Sequence, residues 1–165
     1  MFFYVTYGTL DYLQKFSHNH TNEKLHIMHG EDQAILFYES DNKSLFQSPH
    51  KYEVIDRAGE LRACEYAAFN HIPVSPESRP LFENRFKNRS GNIESEPGFI
   101  ALRLLRPIKS DTYLIVTLWE SEHEFTSWKN SSSFEQAHSD SSPKEKKHQS
   151  IFLRPPYVAS YYAVE

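Results

Sequence analysis

With 165 residues the chain can fill one good core or hold two small half-domains that share one. Its net charge of −4, with acids and bases interspersed, offers no basic field to draw nucleic acid or an anionic membrane. A single cysteine, Cys64, excludes an internal disulfide framework and a thiolate metal cage.

Ten Tyr, twelve Phe and two Trp suit a β-rich core or a pocket for a flat apolar ligand. "MFFYVTYGTLDYLQ" lacks the charged lead and cleavage site of a secretory signal, and no apolar run approaches membrane-spanning length. A soluble, cytoplasmic protein is expected. The one basic run, "PKEKKH" at 143–148, reads as a solvated loop.

Phe2 to Tyr7 are aromatic or β-branched and Gly8 stops them, which predicts a strand. Thr9 then caps a helix with Leu10 and Leu13 on one face and Asp11 in its first turn. "KLHIMHG" and "QAILFYES" read as two strands joined at "GED". In "SPHKYEVIDRAGE", Ser48 before Pro49 and the closing Gly59 punctuate a short helix. Residues 1–60 are therefore expected to form a βαββ half-domain followed by a short strand or helix.

A second domain is expected over 61–165. "LRACEYAAFNHIPVS" reads as a long strand, and "PESRPLFENRFKNRSG" as a helix bearing Leu81, Phe82 and Phe86, stopped at Ser90-Gly91. "GFIALRLLRP" and "DTYLIVTLWE" are strands around the turn "IKSD". Two helical pieces follow in "ESEHEFTSWKNSSSFEQAH", broken at "NSSS", and after a polar loop "PYVASYYAV" closes as a strand. The order βαββαβ is the ferredoxin-like, split βαβ pattern: an α+β fold with an antiparallel sheet and helices on one face. The coarse similarity of the halves predicts that the first packs as a pseudo-partner of the second.

The five glycines form neither GxGxxG nor GxxxxGK[ST], and GxSxG and HExxH are missing, which removes nucleotide cradles, serine-hydrolase elbows and zincins. Of the nine histidines, His18, His20, His26 and His29 lie at no recognised ligand spacing with carboxylates. They read as surface or packed residues, as do His123 and His148.

Three residues ask for a reason. Alternation along the strand from Leu61 puts Cys64, Tyr66, Ala68, Asn70, Ile72 and Val74 on one face, and Asn70 interrupts an apolar row. A buried amide without a partner costs roughly 1 to 3 kcal/mol, so Asn70 either bonds a neighbouring backbone group or meets a ligand. Phe125 and Trp128 share a helix face, where a core tryptophan is the plain reading. His138 ends the next helical piece. It could cap a helix or, with no Cys or His close by, ligate a metal that brings its own equatorial ligands, as haem does.

"RPLFENRFKNRSGNIESEPGFIALRLLRP" followed by "SDTYLIVTLWESEHEFTSW" resembles the antibiotic-biosynthesis-monooxygenase domain of the IsdG-type haem-degrading monooxygenases, and most of all the longer, two-domain members from bacilli. The likeness is dense from about Arg79 to His138 and extends forward through "TYGT" and "SPHKYEVIDRAGE". Its signature of Asn, Trp and His falls on Asn70, Trp128 and His138. The resemblance implies that His138 is the axial ligand of haem iron, that Asn70 hydrogen-bonds toward the distal oxygen ligand, and that Trp128 packs against a bent porphyrin. It further implies that haem, as substrate and oxygen-activating cofactor together, is opened with O2 to a linear tetrapyrrole with release of iron. No flavin or nicotinamide site is visible, so an external reductant or reductase must supply electrons. Short family members form homodimers through their sheets. The additional half here takes the partner's place, which predicts a monomer with an internal pseudo-dimer. Arg85, Lys87 and Arg89 are candidates for the propionates only by being basic on a nearby helix. Two other readings stay open: a cofactor-independent monooxygenase acting on a quinol or other aromatic, and a non-catalytic haem-binding or stress-signalling protein.

Overall fold

The computed structural model describes residues 1–88, 93–130 and 152–164. Eight antiparallel strands close into one barrel: β1 (Phe2–Gly8), β2 (His26–His29), β3 (Ala34–Ser40), β4 (His50–Ala58), β5 (Tyr66–Pro73), β6 (Phe99–Pro107), β7 (Thr112–Trp119) and β8 (Tyr157–Ala163), in the spatial order β1-β3-β2-β8-β5-β7-β6-β4. Among the described residues three α-helices lie outside it: α1 (Leu10–Asn19), α2 (Arg79–Lys87) and α3 (Glu122–Lys129). Each half contributes a four-stranded sheet of ferredoxin-like order, β4-β1-β3-β2 and β8-β5-β7-β6. The seams are β2–β8 and β4–β6. The pseudo-dimer expected from the sequence is thus a continuous barrel in which the strands have no free edge.

The strands form because they alternate. On β1, Phe3 and Val5 point into the barrel, and so do Phe37 on β3, Phe69 on β5 and Val116 on β7, all at most 1% exposed. At about 25 cal/mol per Å² of apolar area this interior is the main stabilising term. The outer faces carry separate clusters: Tyr4, Leu36 and Tyr38 with Leu13 of α1 over the first sheet, and Tyr66, Trp119 and Phe125 or Val74, Phe82 and Tyr113 over the second. Thr9 caps α1 as expected, its side chain accepting from the Tyr12 N–H at 3.2 Å.

Residues 48–59 are not a helix. His50–Ala58 is β4, paired with β1 and β6, and it occupies the fourth-strand place of the first sheet, so that half is βαβββ. A register shift between Val54 and Asp56 breaks the alternation that would otherwise have marked a strand. The strand predicted from Leu61 begins only at Tyr66. Cys64 therefore leaves the Asn70 face. It packs against the barrel interior, 4.0 Å from the Met28 sulfur, where burial pushes its thiol up to about 11. Leu81 points outward, 40% exposed, while Phe82 and Phe86 carry the packing of α2.

Candidate functional site

The outer face of the second sheet is covered in two places. α3 covers Tyr66, Ala68, Leu102 and Trp119, and α2 covers Ile72, Val74, Leu104 and Tyr113. Asn70 lies on the strand between these groups and belongs to neither. Its cross-strand neighbours are Ile115 of β7 and Val158 of β8. Ile115 is half-buried and Val158 is 45% exposed. Among the described residues the Asn70 amide has no hydrogen-bond partner, and it stands at the gap between the two helices.

α3 is set over this face by two local devices. Ser121 caps it, accepting from the Glu124 N–H at 3.4 Å. Gly98, at φ 80°, lets β6 begin directly beneath the helix: a Cβ there would stand 2.3 Å from Cγ of Glu124. Phe125 and Trp128, three residues apart, then face the sheet. The Trp128 ring lies 5.7 Å from Trp119 and 6.1 Å from Phe125. Trp119 is fully buried, and its indole N–H donates to the Thr117 hydroxyl at 2.9 Å. Trp119 stands opposite Tyr66, four residues before Asn70, so the tryptophan pair and the amide are about 13 Å apart along the strand.

α2 is held by charge. Arg106 of β6 donates to both carboxylate oxygens of Glu83, at 2.8 and 2.5 Å, and to Glu53 of β4 at 2.8 Å. The Tyr113 hydroxyl also donates to Glu83. Hydrogen bonding from Arg106 holds the Glu83 carboxyl below the usual range. This network ties α2 to both sheets and places Phe86 between the two outer clusters.

Beside the amide, between α3 and β8, is a cavity of about 310 Å³, at the small end for a ligand pocket. Tyr66, Phe125, Val158 and Ser160 wall it, with Glu122, Thr126, Lys129 and Asn130 at its rim. The Tyr66 and Ser160 hydroxyls are bonded to each other at 2.7 Å. Asn70 and Trp128 do not line this cavity, but they share its sheet face, and Val158 joins it to Asn70. His138 lies outside the described residues, as does Arg89. Arg85 and Lys87 are exposed at the end of α2. Sequence reasoning missed Tyr66, Val158 and Ser160. The alternation of "PYVASYYAV" carried a signal, since it sets Val158, Ser160 and Tyr162 on one face.

Two ferredoxin-like sheets closed into one barrel, with helices over an apolar outer face on one of them, define the α+β-barrel class of fold. A model of the antibiotic biosynthesis monooxygenase family matches residues 66–140. The chain is 27% identical over 128 residues to a haem-degrading monooxygenase of Listeria monocytogenes, covering 78% of this chain and 77% of that protein. It is 30% identical over 115 residues to the signal transduction protein TRAP of Staphylococcus epidermidis, covering 70% and 69%. The solved structure of a major regulator of staphylococcal pathogenesis superposes with a TM-score of 0.88 at 25% identity over 100% of both chains. The chain belongs to the antibiotic biosynthesis monooxygenase family.

Proposed function

We propose that the chain binds haem on the outer face of the second sheet and opens its ring oxidatively with O2 and electrons from an external donor. The observation that carries this reading is the Asn70 amide, without a partner among the described residues, in an otherwise apolar band, with the tilted Trp128–Trp119 pair on the same face. The similarity to a haem-degrading monooxygenase supports it. The described residues fit a flat apolar ligand: Ile115, Val158 and Phe86 offer apolar contact, and Asn70 offers the one polar group. Bound haem supplies an oxygen-activating iron and is itself the ring that is cleaved. His138 in its neutral form is the proposed axial ligand. Asn70 would orient the oxygen co-substrate by hydrogen bonding, and Trp128 would press on the ring plane, so that the chain contributes positioning and distortion. Barrel closure within one chain supports a monomer.

A second reading, a haem-binding or signalling protein without turnover, is favoured by the likeness to TRAP. One titration separates the two. Adding hemin to the purified protein should give a Soret band, and ascorbate under air should then bleach it with release of iron. No Soret band refutes the haem reading, and a band stable to ascorbate supports the second. Bleaching that survives His138→Ala removes the role given to that histidine. A solution mass near twice the chain mass removes the monomer.

A further inference from the structure

Several side chains oxidisable by one electron gather at one end of the second sheet. Trp119 stands opposite Tyr66 in the β5–β7 ladder, and Tyr66 stands opposite Tyr162 in the β5–β8 ladder, so three adjacent strands carry a row of indole, phenol and phenol. The Tyr66 and Tyr162 rings are 5.5 Å apart. Trp128 packs at a tilt against Trp119, with ring centres 5.7 Å apart. Phe125 fills the angle, 5.2 Å from Tyr66 and 5.8 Å from Trp119, and shields the row from water. The row ends at the surface. There the Tyr162 hydroxyl donates to the Glu122 carboxylate at 3.0 Å, whereas among the described residues the inner Tyr66 hydroxyl meets the Ser160 hydroxyl.

A phenol gives up an electron readily only if its proton has somewhere to go. Among the described residues Tyr162 is the phenol of this row with a base in contact. We propose that Trp119, Tyr66 and Tyr162 form a one-electron relay joining Trp128 to the surface, with Glu122 as the proton acceptor at its outer end. Its use rests on the reading that Trp128 borders haem, where activation of O2 or peroxide exposes Trp128 to one-electron oxidation. An electron moves inward from Tyr162 to Trp119 across the Tyr66 ring, which bridges the two without being oxidised itself, and refills oxidised Trp128. The Tyr162 O–H bond breaks and its proton passes to Glu122. The products are a neutral indole, a neutral phenoxyl and a carboxylic acid. The external reductant then returns one electron to Tyr162, and Glu122 returns the proton.

The relay is testable without haem, so its failure is distinct from failure of the haem reading. Azide radicals generated by pulse radiolysis oxidise indole ahead of phenol. In the whole chain the indolyl absorption should decay with first-order kinetics, independent of protein concentration, as phenoxyl absorption rises. Tyr162→Phe, which keeps the ring and its packing, should abolish that rise. Glu122→Gln should slow it, and Tyr12→Phe, altering an exposed tyrosine on α1 (62%), should leave it unchanged. A phenoxyl rise undiminished in Tyr162→Phe, or indolyl decay that is only second order, overturns the relay and leaves the row as packing alone.

Discussion

Glu39 and Arg103 are the pair to perturb first, because they join the two sheets from inside the barrel. Glu39 follows Phe37 on the inward face of β3, and Arg103 sits between Ala101 and Leu105 on the inward face of β6. The guanidinium is 2% exposed and the carboxylate 18%. Arg103 donates to both Glu39 oxygens, at 2.8 and 2.9 Å, and to the carbonyls of Ala58, Gly59 and Leu102. Removing one partner of a buried pair costs about 3 to 5 kcal/mol, because the other charge is left uncompensated. Three carbonyl acceptors remain for Arg103, which puts Glu39→Gln at the lower end, about 3 kcal/mol. For a chain of this length each kcal/mol corresponds to about 2 to 4 °C, so Tm should fall by roughly 6 to 12 °C. The assay is denaturant unfolding of Glu39→Gln, Arg103→Met and the double variant. The double variant should be less destabilised than the sum of the singles by about 1 kcal/mol or more. A Glu39→Gln loss below about 0.5 kcal/mol with additive singles, the behaviour of an exposed pair, refutes the reasoning.

His71 and His26 are neutral by burial, each lowered from 6.5 to about 4. The unfolded chain takes up their protons first, so their contribution to stability is complete above pH 6.5 and is lost as pH falls toward 4, by up to about 3 kcal/mol each. His71→Phe, which preserves stacking on Tyr157, should flatten the acid limb of the urea-unfolding curve against pH, and an unchanged limb refutes the assignment. Gly98→Ala should cost at least about 1 to 2 kcal/mol for the left-handed backbone and should weaken hemin binding by displacing α3. Hemin affinity at the wild-type level despite lost stability would show that α3 does not form the site. Hemin titrated by its Soret band should saturate at one equivalent per chain, and two equivalents refute a single open face.

The strands and α1 were legible because burial on one side of a sheet or helix writes a period into the sequence, as in "QAILFYES" and in Thr9 with Leu10 and Leu13. β4 was not, because its bulge interrupts the period just where Ser48, Pro49 and Gly59 imitate helix punctuation. Closure of the barrel was not legible either. The seams β2–β8 and β4–β6 join segments distant in sequence, and no local pattern reports such pairing. Asn70 could be picked out because an amide on an apolar strand face needs a partner. Tyr66 and Ser160 could not, since a phenol and a hydroxyl satisfy each other across two strands almost a hundred residues apart and look ordinary in each.

The two sheets share a plan but not an outer face. The third residue of β5, Ala68, is opposite Thr117. The third residue of β1 is Tyr4, opposite Tyr38, with their rings 5.3 Å apart. Where the second half continues from its third strand into α3, the first has only the connection 41–49, and Phe46 from it packs edge-on against Tyr38 at 5.4 Å. The Tyr4 hydroxyl donates to the Asn42 carbonyl, and the Leu45 N–H donates to the Tyr38 hydroxyl, so this plug is hydrogen-bonded as well as packed. A symmetric homodimer cannot arrange its faces this way, because each substitution appears on both of its faces. Joining the halves in one chain removes that constraint. One face can be filled with tyrosine and phenylalanine as a rigid support, while the other keeps small residues and an amide without a described partner. The difference between the two outer faces therefore follows from the covalent joining of the halves, since only then could the face under α1 be packed with aromatic rings without the same residues appearing under α2 and α3.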